Sequence, residues 1–129
     1  MKIKAYHGTE ANKRDFNETA SKGIGSSFGG GITYFVNSLE AAKKYAVLLS
    51  KHSGSKTRVI YEVELDLQKT FPYFDYGNPQ DNRKQLEAEG YDSLRYDGRK
   101  RKKFPVPIDH YVYNVYKADR IKVLKIHPA

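Results

Sequence analysis

The chain has 129 residues, carries a formal net charge of +8 from 23 basic and 15 acidic residues, and contains no cysteine. That length suits a single domain over residues 1–129, able to bury a core without covalent staples. The missing cysteine excludes disulfides, thiolate metal sites and a cysteine nucleophile, and it is compatible with a reducing, cytoplasmic setting.

The excess of positive charge favours an anionic partner, such as nucleic acid, a dinucleotide or an acidic protein, without choosing among them. Tyrosine is abundant, with 11 Tyr and six Phe against no Trp. Tyrosines serve half-buried strands well, or some of the rings stack on a ligand. No apolar stretch follows the charged residues of Met1 to Tyr6, so no secretory signal is expected. No apolar run reaches the length of a membrane span, so no membrane partner is expected.

Ile3 to Tyr6 reads as a first strand running into His7-Gly8-Thr9. Residues 10–31 lack periodicity and are rich in glycine (Gly23, Gly25, Gly29, Gly30, Gly31), which reads as a loop. Ile32 to Val36 reads as a second strand. A helix follows, with Asn37 or Ser38 as its cap and Asn37 to Glu40 at capping-box spacing. Leu39, Ala42, Tyr45, Ala46 and Leu49 form its buried stripe, and it ends between Lys51 and Gly54.

Val59 to Leu67 alternates strictly, with Val59, Tyr61, Val63, Leu65 and Leu67 on one face and Ile60, Glu62, Glu64 and Asp66 on the other. That pattern predicts an antiparallel-type strand with one wet face. Pro72, Gly77 and Pro79 interrupt the chain. Asp81 to Glu89 is a polar helix candidate stopped by Gly90. Ser93 to Tyr96, Tyr111 to Tyr116 and Ile121 to Ile126 read as strands. Gly98 to Lys103 is a basic loop before Pro105 and Pro107, and Lys117 to Arg120 is a turn. Many late strands with early helices between them predict an α+β fold rather than regular βαβ alternation.

Three features carry chemistry. His7-Gly8-Thr9 ends the first strand. His7 offers a donor and an acceptor to structure or to a ligand, and Gly8 permits close approach to the backbone. Next comes the glycine-rich loop with Ile32-Thr33-Tyr34-Phe35 and the helix bearing Tyr45. It is neither a Walker A loop nor a dinucleotide fingerprint, since a strand intervenes before the helix. Tyr34 and Tyr45 are core tyrosines or ring-stacking groups. Finally, Arg99-Lys100-Arg101-Lys102-Lys103 is a solvated run, either solubilising or binding phosphates. Its neighbours Phe104 and Tyr111 could stack on bases. His52, His110 and His127 have no metal-ligand spacing, so no metal is expected.

In order and spacing these pieces resemble the ADP-ribosyltransferase superfamily, in its diphtheria-toxin and poly(ADP-ribose)-polymerase branch. His7-Gly8-Thr9 is similar to the family's His-Gly-Ser/Thr, and Tyr34-Phe35 to the end of its Gly-Ile-Tyr-Phe. Tyr45 follows Tyr34 by the same eleven residues as the family's second tyrosine. Ala42 stands where the family has a serine. Gly90-Tyr91-Asp92-Ser93-Leu94 resembles an element of small phage and mobile-element transferases. Tyr113-Asn114-Val115-Tyr116-Lys117-Ala118-Asp119-Arg120-Ile121-Lys122 resembles their closing segment.

The resemblance runs from about residue 3 to about residue 126. It implies two packed, mainly antiparallel sheets with a few helices. It also implies an NAD-dependent mono-ADP-ribosyltransferase acting on a protein or nucleic-acid acceptor, with NAD as substrate. Under it, His7 hydrogen-bonds the adenine-side ribose, the Gly8 backbone holds the nicotinamide carboxamide, and Tyr34 and Tyr45 wall the nicotinamide ring. Residues 17–31 then cover the adenosine and pyrophosphate. The catalytic candidates are thus His7, Tyr34 and Tyr45, and the dinucleotide-binding set adds Gly8, Thr9, Phe35, Ala42 and Val112.

Val112 is the departure, because the family's catalytic glutamate occupies that position. Either one ADP-ribose is transferred with help from elsewhere, Asp109 or His110 being the nearest substitutes, or the chain is a catalytically inactive module that binds NAD, ADP-ribose or nucleic acid. Glu62 and Glu64 read as solvated face charges.

Overall fold

The computed structural model describes residues 1–10, 33–53, 58–73, 83–100 and 105–128. In these, the strands are β1 (Lys2–Glu10), β2 (Thr33–Val36), β3 (Arg58–Asp66), β4 (Thr70–Pro72), β5 (Ser93–Asp97), β6 (Tyr111–Val115) and β7 (Ile121–Pro128). The helices are α1 (Leu39–Ser53) and α2 (Arg83–Ala88), with single 3-10 turns at Gly98–Lys100 and Ala118–Arg120. The glycine-rich loop, residues 81–82, Phe104 and the end of the basic run lie outside the described residues.

The fold is α+β. The strands join one seven-stranded sheet in the order β4-β5-β6-β2-β1-β3-β7. The two halves that the resemblance implies as packed sheets, β4-β5-β6-β2 and β1-β3-β7, are continuous here, joined among the described residues by one register pair, Tyr6 with Val36. Pairing is antiparallel except between β4 and β5, which run parallel. The alternation of β1 and β3 fixes their register along the whole of β1, from Lys2 with Asp66 to Glu10 with Arg58. A slip of one residue would turn Val63 and Leu65 to solvent.

The two faces carry separate apolar clusters. On one face, Tyr34, Val36, Ile60, Leu94, Tyr96 and Val112 pack with Ala41, Ala42 and Tyr45 of α1 and Leu86 of α2. On the other, Ala5, Phe35, Tyr61, Val63, Leu65, Tyr113, Val115 and Ile121 pack together. Ile60 was assigned by alternation to the wet face of β3. It is buried with 1% exposure because α1 packs on that face of the strand. Each fully buried Val, Leu or Ile contributes roughly 1.5–3 kcal/mol.

Local chemistry sets the helix ends. The Ser38 hydroxyl accepts the Ala41 N–H at 3.1 Å, so Ser38 caps α1. Asn37 turns outward from that role: its Oδ1 accepts the Tyr111 N–H at 2.9 Å and ties β2 to β6. At the far end of α2, Gly90 takes φ +89°, Tyr91 N–H bonds the Leu86 carbonyl at 2.9 Å, and Gly90 N–H bonds the Glu87 carbonyl at 3.0 Å. This is a Schellman stop, which needs a residue tolerant of the left-handed region.

Candidate functional site

β1 continues beyond the predicted Tyr6 and carries His7 as a buried residue on the face away from the helices. There its ring meets the Phe35 ring edge-on, with centroids 5.9 Å apart. His7 Nδ1 lies 2.6 Å from the Tyr34 carbonyl oxygen. A carbonyl only accepts, so Nδ1 carries a proton and donates it. The bond crosses the seam between β1 and β2 just beyond their single register pair.

Gly8, next along β1, faces α1. A Cβ added there would run into the carbonyl of Ala42 and crowd the Ala46 side chain. The close approach that Gly8 permits is thus made by the protein's own helix. Ala42 is fully buried at this crossing. The side chain of Thr9 is outside the description.

Tyr45, one turn further along α1, is buried and lies on the same apolar face as Tyr34 and Val112. Its hydroxyl is 2.9 Å from His110 Nε2. The His110 Nδ1 N–H donates to the Ile108 carbonyl, so in the neutral ring Nε2 is the acceptor and the tyrosine O–H the donor. Gly98 makes room for this imidazole, since a Cβ there would collide with it. The neighbouring Asp109 instead points to solvent, with a side chain 92% exposed and 4.0 Å from Arg99.

Val112 is fully buried, in register with Val36 of β2 and Tyr96 of β5. Two residues on, Asn114 shares that face of β6, in register with Tyr34 and Leu94. It is fully buried, and neither side-chain polar atom has a hydrogen-bond partner among the described residues. Nothing in the sequence pattern alone assigns this residue a role. The available signal was an asparagine among Val112, Tyr113 and Val115, where strands disfavour it.

Gly8, Tyr34, Ala42, Tyr45 and Val112 therefore gather on the helix side, while His7 and Phe35 lie on the other. The two groups meet at the His7–Tyr34 bond across the seam between β1 and β2.

The charged residues have other work. Glu62 lies 4.0 Å from Lys4 and 3.2 Å from His127, and Glu64 is 3.8 Å from Lys2. Asp92 is 2% exposed and accepts the Gln68 and Lys69 N–H groups at 2.8 and 3.2 Å, with Arg120 at 3.3 Å. Arg99 pairs with Asp97 at 3.0 Å, and its hydrogen bond holds the Asp97 carboxyl below its usual range. Lys100 is exposed, and residues 101–103 of the run are not described. Tyr111 is exposed beneath the Arg95 guanidinium, 4.9 Å from its ring centre.

An open groove of about 360 Å³ lies between Lys43, Val47 and Leu48 of α1 and Pro105 to Pro107; Val106 and Leu48 also belong to the helix-side cluster, but none of the gathered residues lines the groove. Among the described residues, no three His, Asp or Glu side chains cluster to hold a metal. No described helix is long and apolar enough to cross a membrane.

No family model matches the sequence, and no curated protein matches it. Among solved structures, a chain of the M. tuberculosis MbcT–MbcA toxin–antitoxin complex is similar over 100% of this chain and 85% of that chain. The TM-score is 0.60 and the identity 7%, so the likeness is one of fold.

Proposed function

We propose that residues 1–129 form one domain of the ADP-ribosyltransferase type, using NAD as substrate and transferring a single ADP-ribose to a protein or nucleic-acid acceptor. The observation that carries the reading is the bond from His7 to the Tyr34 carbonyl at the β1–β2 seam, with Tyr45 held on the helix side of the same seam. It joins the residues that the resemblance assigns to the two ends of NAD. The chain would act by orienting the dinucleotide and excluding water around the nicotinamide–ribose bond, which breaks through an oxocarbenium-like state. Aromatic faces at Tyr34 and Tyr45 suit a cationic ring. The similar solved structure is a toxin–antitoxin complex, which supports a protein partner here.

The buried Val112 favours a second reading, a catalytically silent module that binds NAD, ADP-ribose or nucleic acid. Incubating the protein with labelled NAD, with and without cell lysate or RNA, separates the two. Release of nicotinamide with label on a macromolecule is the transferase result. NAD binding without release is the module result. If neither occurs, both NAD readings fall, and oligonucleotide binding at rising salt, before and after neutralising Arg99, Lys100, Arg101, Lys102 and Lys103, tests the nucleic-acid reading.

A further inference from the structure

Asn114 sits where the fold gains nothing from it. Its side chain is fully buried, and among the described residues neither the amide nitrogen nor the amide oxygen has a hydrogen-bond partner. On the same face two residues on, the Tyr116 hydroxyl is also buried and has no hydrogen-bond partner among the described residues. Buried polar atoms without partners cost folding free energy, and native proteins keep few of them. A valine or leucine in the middle of this strand would suit the apolar surroundings better.

The position adjoins the candidate site. Asn114 pairs in register with Tyr34, and Val112 lies two residues back on the same face. Its neighbours on that face, Tyr34, Leu94, Val112 and Tyr116, are uncharged, which suits a neutral group; the Arg83 guanidinium that lies over the Tyr116 ring, 5.3 Å from its centre, is already paired with Glu87. A primary amide presents donors and an acceptor side by side.

We infer that Asn114 is a ligand-contacting residue, its amide donating to and accepting from one neutral group of the bound dinucleotide. The nicotinamide carboxamide and a ribose diol both have that chemistry. The inference rests on the reading of the chain as an NAD-binding domain. The free protein carries the cost of an unpaired amide, and the ligand repays it by supplying the partner.

The test compares the full chain with Asn114→Leu and Asn114→Val, the smaller valine guarding against overfilling. Thermal melting is measured together with calorimetric titrations of NAD, nicotinamide and ADP-ribose. The expected result is a melting midpoint higher by about 3 °C or more in at least one variant, with NAD affinity weakened about 10-fold or more. A matching loss for nicotinamide assigns the contact to the carboxamide, and a loss for ADP-ribose assigns it to a diol. Lowered midpoints in both variants would overturn the inference, because the amide would then have a structural partner. So would a folded variant that binds NAD as tightly as the parent. A parent that binds none of the three compounds overturns the NAD reading itself.

Discussion

The hydroxyl of Tyr45 and the Nε2 of His110 meet at 2.9 Å, joining the middle of α1 to the segment just before β6. These residues are far apart in sequence, so the bond fastens the helix over the face that carries Val112. Tyr45→Phe and His110→Ala should each lower unfolding free energy by about 1 kcal/mol or more. The double variant should lose less than the sum, with a coupling of roughly 0.5–3 kcal/mol in denaturant titrations. Strict additivity would mean that the two side chains do not act together.

Tyr45→Ala asks a different question, about the ligand. Removing the ring should weaken NAD at least about 10-fold in a calorimetric titration. Tyr45→Phe should retain most of the affinity, because the aromatic face survives. A Tyr45→Ala variant that transfers ADP-ribose as well as the parent would remove Tyr45 from the site.

Gly8→Ala should lower stability by about 1–3 kcal/mol, since its methyl meets the Ala42 backbone and α1 has to shift. Thermal melting checks this. The same substitution at the exposed Gly90, where φ is positive, should cost about 1 kcal/mol through strain alone.

Asp92 holds two backbone N–H groups and Arg120 from a buried position. Asp92→Ala leaves a guanidinium without its carboxylate and should cost about 3–5 kcal/mol in chemical denaturation. A loss below about 1 kcal/mol would show that Arg120 finds solvent easily.

Alkaline pH should destabilise the fold through Tyr61 and Tyr116. Burial raises both phenols above their ordinary range. A raised folded-state value means that the native state keeps its proton when the unfolded chain would lose it. Their contribution is therefore complete below about pH 10 and is lost as pH rises beyond it. Tyr116→Phe should flatten that decline in melting curves taken between neutral and alkaline pH.

Much of the fold was legible in the sequence because strands and helices advertise themselves by period. The 2-residue alternation of Tyr61, Val63 and Leu65 and the stripe of Ala42, Tyr45 and Ala46 predicted their buried faces. β4 was not legible: its three residues, Thr70–Pro72, are too few to show a period, and proline looked like a break. Nor was the single sheet, since one register pair leaves no local trace. Around the site, the sequence supplied His7, Tyr34 and Tyr45 as candidates but not the arrangement that puts them on opposite faces. His110 acquired its partner only through the tertiary fold. Asp92 stands in the Gly90–Leu94 motif, yet its place as a buried hub depends on Arg120 arriving from the far end of the chain.

The narrow attachment of β2 to β1 has a consequence for how the chain is made. Among the described residues β2 meets β1 at one pair and β6 at four, from Thr33 with Val115 to Val36 with Val112. During synthesis the N-terminal strands emerge first. β1 and β3 can zip together once Asp66 is out, but β2 must wait for Tyr111 to Val115 before its free edge is covered. Until then that edge is a template for pairing with other chains. Closing the sheet is thus among the last events of biogenesis, and a nascent chain stalled before Tyr111 leaves the edges of both β2 and β3 uncovered.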